Sequence, residues 1–322
     1  MPPGMRVRVI APAGRLSRQD ARRQAGSLFD IVIAPRTLAR YKKAVWKFFE
    51  YLQKNRRNIP NTKDEFDEQL ADYVNYLWED GEGRSLAGDT MSAFQHYQPQ
   101  LKRNLPTAWR LLGAWQRSEL PSRAPPFTDE VVKAVAGLAL ERQWPDVAIL
   151  CYVGYCCLLR TGELLYLTKQ SVWISADRRQ AVLNLGLTKS AQRAGAEESV
   201  TVNDALAVQL LQALTLGLLP GDKLCKRPDH DFRAKFTSLV ETLGIAEWGY
   251  RPYSLRRGGA TTMFRETGQL SKVAVYGRWS SGKVARIYIN DGLAQLTTMR
   301  FSPGVARGLR HYAQLFAQRT AA

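Results

Sequence analysis

The sequence predicts a mainly α-helical protein with one small antiparallel β-sheet, an α+β chain organised in two domains. Three observations predict it. Apolar residues recur at helical spacing on both sides of a proline-rich joint, three short β-type runs are confined to residues 171–202, and the composition is that of a folded protein. With 322 residues, 45% of them hydrophobic and 10% aromatic, the chain is long enough for two cores.

Residues 1–34 form a basic N-terminal tail in which the first 25 are rich in Arg and poor in acids. A disordered tail, a DNA-contacting arm and a transit peptide all fit that composition. A helical domain is expected over 35–118. It opens at Pro35-Arg-Thr37, where Leu38, Tyr41, Val45, Phe48, Phe49 and Leu52 mark one helix face and Arg40, Lys42, Lys43 and Lys47 give it a basic outer side. A second helix runs from about Lys63 to Glu79; Asp64, Glu65, Asp67 and Glu68 favour its first turn, and Phe66, Leu70, Tyr73, Val74 and Leu77 form its stripe. Helices around Gly88–Gln98 and Thr107–Arg117 complete the bundle, and the Pro-containing stretch 119–126 reads as an extended linker.

The second domain covers 127–322. Thr128-Asp-Glu130 caps a helix carrying Val131, Val132, Val135 and Leu138. A buried helix is expected over 145–159, ending at Arg160. The β-type runs Ser171–Ile174, Ala181–Leu187 and Glu198–Val202 are spaced for a meander with Lys189 in the turn between the last two. Helices and connectors follow, among them Phe232–Leu243 and one starting near Tyr253. The apolar positions of 292–318 suit packing either on a neighbouring protomer or within the same chain.

A formal charge of +17 argues for a polyanionic partner. Residues 1–60 hold 14 Lys/Arg against 3 acids and residues 251–322 hold 12 against 2, leaving 20 basic and 24 acidic residues between them. Basic ends around a near-neutral middle suit a protein that grips nucleic acid from two sides. The four cysteines show neither a disulfide framework nor a metal pattern, which suggests reduced thiols in an intracellular setting. Three histidines without ligand spacing give no reason to expect zinc, and no apolar run is long enough for a membrane span.

The chemistry is concentrated in Arg160-Thr-Gly-Glu163, Lys189, Tyr253-Ser-Leu-Arg256-Arg257, Trp279 and Tyr288. Two arginines hold a phosphodiester by its non-bridging oxygens with forked donors, and a tyrosine hydroxyl can attack phosphorus. Such a reaction needs a proton donor but no metal or nucleotide cofactor.

In this order the residues resemble a tyrosine recombinase of the phage-integrase superfamily, over roughly residues 36–300. The segments Ser254-Leu-Arg-Arg-Gly-Gly-Ala-Thr261 and Gly277-Arg-Trp-Ser-Ser281 with Ile287-Tyr-Ile are similar to recombinases of eukaryotic mobile elements of the crypton and DIRS type. The resemblance implies an N-terminal helical core-binding domain, a tyrosine-recombinase catalytic domain, and site-specific cutting and rejoining of DNA through a 3′-phosphotyrosine. Arg160 and Arg256 match the catalytic arginines, Lys189 the general acid, Trp279 a ring N–H donor to the phosphate and Tyr288 the nucleophile. Glu163 would orient the Arg160 region or be a surface partner of it; Arg257 would add phosphate charge or be a surface cation. Arg278, Lys283 and Arg286 join the basic residues of the first helix as DNA contacts. Tyr253 departs from the pattern, since the family usually has histidine there. The implied partners are double-stranded DNA, held by two domains closing as a clamp, and further copies of the chain, dimer to tetramer, on that DNA. The implied location is intracellular, and nuclear in a eukaryote. Type IB topoisomerase-like strand transfer and a catalytically weak, recombinase-derived DNA-binding protein are the alternatives.

Overall fold

A computed structural model describes residues 15–25, 27–28, 32–119, 123–186, 188 and 197–321. The chain divides into two compact units, residues 1–122 and 123–322.

The first unit is wholly helical among the described residues. Its first helix, α1 (Arg15–Ala25), lies where the sequence suggested a tail, and its Arg, Gln and Ala are good helix formers. Helix α2 (Pro35–Lys54) starts on a proline whose missing N–H costs nothing in the first turn. Helix α3 (Lys63–Glu79) opens with a capping box: Thr62 Oγ1 accepts from Glu65 N at 3.2 Å and Glu65 Oε2 from Thr62 N at 3.4 Å. Helix α4 (Arg84–Tyr97) begins four residues before the sequence suggested, and α5 (Pro106–Ser118) completes the unit. Asp67 is not the solvated first-turn acid its spacing suggests. It is buried, and its carboxylate accepts the backbone N–H groups of Thr107 (3.0 Å) and Ala108 (2.9 Å), so α3 supplies the cap that α5 lacks in its own sequence. Phe48 anchors the core between Phe94 and Tyr73, with ring centroids at 5.1 and 5.2 Å in edge-to-face arrangement.

In the second unit, α6 (Asp129–Glu141) is capped by Thr128, and α7 (Pro145–Cys156) is buried on every side from Val147 to Tyr155. That helix ends at Cys156, three residues short of the predicted limit, because Leu158 turns into the left-handed region at φ 48°. Arg160 therefore stands outside it, at the N-cap of the short helix α8 (Thr161–Tyr166). Strands β1 (Val172–Ile174), β2 (Ala181–Gly186) and β3 (Glu198–Val202) form an antiparallel meander in the order β1-β2-β3. Val172 faces Leu183 and Leu183 faces Val200, which puts one apolar row against the core. Leu187 and Lys189 lie outside the described residues.

Beyond the sheet the structure describes α9 (Ala205–Thr215), α10 (Asp229–Thr242), α11 (Tyr253–Thr267), α12 (Leu270–Tyr276), α13 (Gly282–Arg286), α14 (Asp291–Met299) and α15 (Pro303–Ala321), of which the sequence singled out Phe232–Leu243 and a helix starting near Tyr253. Two close helix contacts need glycine. A Cβ on Gly259 would lie 2.0 Å from the Tyr155 carbonyl oxygen, so α11 rests directly on α7. A Cβ on Gly137 would lie 1.9 Å from the Tyr312 carbonyl oxygen, where α15 crosses α6. With Phe316 buried and its ring 5.2 Å from that of Tyr152, the last helix packs within its own chain. Of the two packings open to the C-terminal stretch, α15 takes the one in cis.

Candidate active site

Four segments of the second unit meet at the site: the turn after α7 with the start of α8, the start of β3, the first turns of α11, and the residues from Gly277 to Tyr288. A small apolar cluster of Leu158, Ala260, Val273, Ala274, Trp279 and Ala285 holds them together, with Tyr288 packed against it.

Arg256 is 0% exposed although it is charged and long. Helix α11 carries it inward, where Nη1 donates to the Leu158 carbonyl and Nη2 to the Gly277 carbonyl at 2.5 Å. Its guanidinium carbon stands 4.6 Å from the centre of the Trp279 ring and 5.4 Å from that of Tyr288, a cation against two aromatic rings. Burial, reinforced by the charges of Arg160 and Arg278 and opposed by Glu163, lowers its pKa to about 10, which leaves it charged at neutral pH. Gly277 serves twice here. It presents a carbonyl to Arg256, and its missing side chain leaves room for the Trp279 ring, whose Cζ3 would lie 2.0 Å from an added Cβ.

Arg160 and Glu163 are joined at the head of α8. The Glu163 carboxylate accepts the Arg160 backbone N–H at 2.8 Å and its guanidinium Nη1, and it takes Arg278 Nη2 at 2.7 Å. Its side chain is 8% exposed. Between the two roles open for Glu163 the surface one is excluded. A buried carboxylate bonded to two arginines is a fixed part of the site.

Arg278 was expected to face DNA from the surface. It is instead 7% exposed, sits at a left-handed φ of 58°, and has Glu163 on Nη2 and Glu198 3.4 Å from Nε. Arg257 is neither a free phosphate cation nor a surface one. It donates to the Ala124 carbonyl at 2.6 Å and, from Nε, to the Tyr288 carbonyl at 3.5 Å, so it fixes the backbone that bears the phenol. Asn290 N on the Thr261 hydroxyl (3.2 Å) and Arg123 on the Ile287 carbonyl (3.4 Å) secure the same stretch.

Tyr288 follows α13 in a turn and is half-buried. Its ring lies 4.4 Å from Trp279 and 5.6 Å from Tyr253. Burial pushes the Tyr288 phenol up; hydrogen bonding with Tyr253, the close polar approach of Trp279 and the charges of Arg256 and Arg160 outweigh it and bring the phenol below the ordinary tyrosine value. Tyr253, the more exposed of the pair, is raised well above that value by desolvation and by the same hydrogen bond. Arginine charges lower both phenols, and the hydrogen bond between them is what acts on the two in opposite directions. The Trp279 N–H reaches no acceptor in good hydrogen-bonding geometry, so its effect on Tyr288 is one of proximity.

Four buried N–H groups at the site have no hydrogen-bond partner among the described residues: Arg256 Nε, Arg278 Nε and Nη1, and Trp279 Nε1. Unmet buried donors on two cations and an indole make a site suited to an anionic oxygen-rich group. Lys189 falls outside the described residues. Lys283 and Arg286 are exposed on α13. On α2, Lys42 and Lys43 are exposed, whereas Arg40 is bound to Asp89 at 2.9 Å and Lys47 to Glu82 at 2.8 Å, so half of the basic face seen in sequence is neutralised by α4 and the residues before it. No cluster of three or more metal-ligating side chains occurs among the described residues, and none of their helices is long and apolar enough to cross a membrane. Glu198 is the site residue that sequence reasoning missed; a lone glutamate opening a strand carries no signal.

No protein-family profile matches the chain, and no curated protein matches it. Solved structures do. The XerH site-specific recombinase bound to its difH substrate before cleavage superposes with a TM-score of 0.52 at 14% identity, over 88% of this chain and 87% of that one. Its post-cleavage complex on palindromic difH gives 0.55 at 14% identity, over 88% and 83%. The Tn1549 transposon integrase in complex with a circular intermediate DNA gives 0.53 at 12% identity, over 82% and 99%. At such identities the likeness is one of architecture, and the architecture of this chain is the tyrosine-recombinase fold.

Proposed function

We propose that the protein is a site-specific DNA recombinase that cuts and rejoins duplex DNA through a 3′-phosphotyrosine on Tyr288. One observation carries this reading: Arg256 stands 5.4 Å from the ring of a half-buried phenol, Tyr288, whose pKa its charge and that of Arg160 lower, beside buried N–H donors that have no acceptor. A phosphodiester supplies the acceptors. In the pentacoordinate transition state negative charge grows on the non-bridging oxygens, and preset guanidinium and indole donors stabilise it without reorganising. The Tyr288 phenol gives its proton to solvent and its oxygen forms a bond to phosphorus as the 5′ oxygen of the DNA leaves and takes a proton. Lys189 is the residue proposed to supply that proton, on the strength of its place in the motif order. Because one phosphodiester replaces another, no energy source is required.

The same reading extends to duplex DNA as partner, to dimers or tetramers assembled on it, and to an intracellular site of action, nuclear if the host is eukaryotic. Similarity of Ser254–Thr261 and Gly277–Ser281 to crypton and DIRS recombinases supports a mobile-element origin. A second reading, a DNA-binding protein with weak cleavage, draws on the fact that two of the Arg256 nitrogens are spent on main-chain carbonyls and that Tyr253 stands where a histidine is usual.

A nicked suicide duplex separates these readings. The wild type should accumulate a covalent protein–DNA adduct and Tyr288→Phe none; binding by the wild type without adduct would favour the weak-cleavage reading. Recombinant product against simple relaxation of supercoils distinguishes recombinase from type IB topoisomerase-like action.

A further inference from the structure

Arg160, Glu163, Arg278 and Glu198 form a closed ring of alternating charge. Going round it, Glu163 binds the Arg160 guanidinium; it accepts Arg278 Nη2 at 2.7 Å; Arg278 Nε lies 3.4 Å from Glu198 Oε2; and Glu198 Oε2 lies 3.9 Å from Arg160 Nη1. Glu198 also accepts the Thr188 hydroxyl at 2.5 Å, and its side chain is 15% exposed. The four ring members come from α8, β3 and the loop after α12, elements far apart in sequence. The ring is electrically balanced. Arg256, 3.9 Å from Glu163, is the surplus positive charge beside it.

A carboxylate is an odd component of a site that is to receive an anion. Ionised, it has no proton to donate, and it repels a phosphodiester. What it can do is hold cations. Arg278 occupies a left-handed backbone conformation that a residue with a side chain keeps only where its surroundings fix it, and Glu198 is one of the two carboxylates that do so. Arg160 Nη1 is held by Glu163 and lies 3.9 Å from Glu198 Oε2 as well. Without Glu198 both guanidiniums would share a single carboxylate and repel one another.

We infer that Glu198 is a positioning residue of the cleavage site, which sets Arg160 and Arg278 for the scissile phosphate and touches no substrate itself. This rests on the recombinase reading above. Positioning and simple electrostatics predict opposite signs. If Glu198 were only a negative charge near the phosphate, its removal would tighten DNA binding and speed cleavage. As a positioning residue, its removal slows cleavage at unchanged affinity, on the order of ten- to a hundredfold, the usual cost of losing a group that orients reacting side chains.

The test uses the full chain and the nicked duplex, with single-turnover adduct formation and DNA affinity measured separately for wild type, Glu198→Gln and Glu198→Asp, and thermal unfolding of each. Expected is slow adduct formation in Glu198→Gln, partial recovery in Glu198→Asp, and affinity within about threefold of wild type for both. Equal or faster cleavage by Glu198→Gln would overturn the inference. So would a parallel loss of affinity, cleavage and melting temperature with no recovery in Glu198→Asp, since that is a folding role. A wild type that forms no adduct would remove the recombinase reading itself, and this inference with it.

Discussion

Tyr253 and Tyr288 illustrate how two identical side chains are driven apart by their surroundings. Hydrogen bonding between them stabilises the phenolate of Tyr288 at the expense of Tyr253, whereas the nearby arginines lower both. Deleting the Tyr253 hydroxyl removes one of the interactions that lower Tyr288. In Tyr253→Phe the phenol of Tyr288 therefore rises, and the limb of the pH–rate profile on which activity increases with pH moves to more alkaline values. At neutral pH the cleavage rate should fall by about tenfold, what a neutral hydrogen bond of about 1.4 kcal/mol is worth. A profile superimposable on the wild type would show that the two phenols act independently. Arg256 allows a different expectation. In Arg256→Ala the carbonyls of Leu158 and Gly277 lose their donor inside the protein, so stability to urea should fall by at least about 2 kcal/mol as well as activity being lost. An Arg256→Ala protein as stable as wild type would mean that water replaces the guanidinium freely.

At the scale of elements, the helices of the first unit were legible because apolar periodicity is local. Residues 63–79 show in sequence the stripe that the structure buries, and on 35–54 Phe48 and Leu52 are buried as expected whereas Phe49 is exposed. What was not legible is the traffic between elements. Asp67 sits in a run of four acids that all suit a helix start, yet it alone turns inward to serve the N-terminus of α5, 40 residues on. Asp67→Ala should lower the stability of the first unit by about 1–3 kcal/mol, measurable by chemical denaturation, because two backbone N–H groups lose their acceptor. No change would assign those groups to water. The end of α7 was missed for a related reason: nothing in the letters of Cys157-Leu158-Leu159 announces a left-handed leucine, which is imposed by what its carbonyl must reach. Arg257 read as a phosphate or surface cation and Arg278 as a DNA contact for the same cause, since the carbonyls and carboxylates that take them up lie far along the chain.

For the whole molecule, the proposed function together with a net charge of +17 predicts DNA affinity that falls steeply with salt. A log–log plot of affinity against salt between about 50 and 200 mM should be linear with a clearly negative slope, on the order of −6 or steeper if several phosphates are neutralised. A flat plot would remove electrostatic grip from the account. The candidates Arg160, Arg256, Trp279 and Tyr288, which the structure brings to one place, could be singled out in the sequence by residue type and order; the supporting ring could not, because ion pairs leave no periodic trace. One feature of that site bears on how the protein can change over generations. Arg256 spans 98 residues of sequence to reach the Leu158 carbonyl and 21 to reach that of Gly277. Main-chain oxygens are encoded by no particular codon. A point substitution at 158 leaves the acceptor atom in being, whereas one at 277 adds a side chain where the Trp279 ring lies, so the arginine's seat is sheltered from ordinary drift at one end and exposed to it at the other.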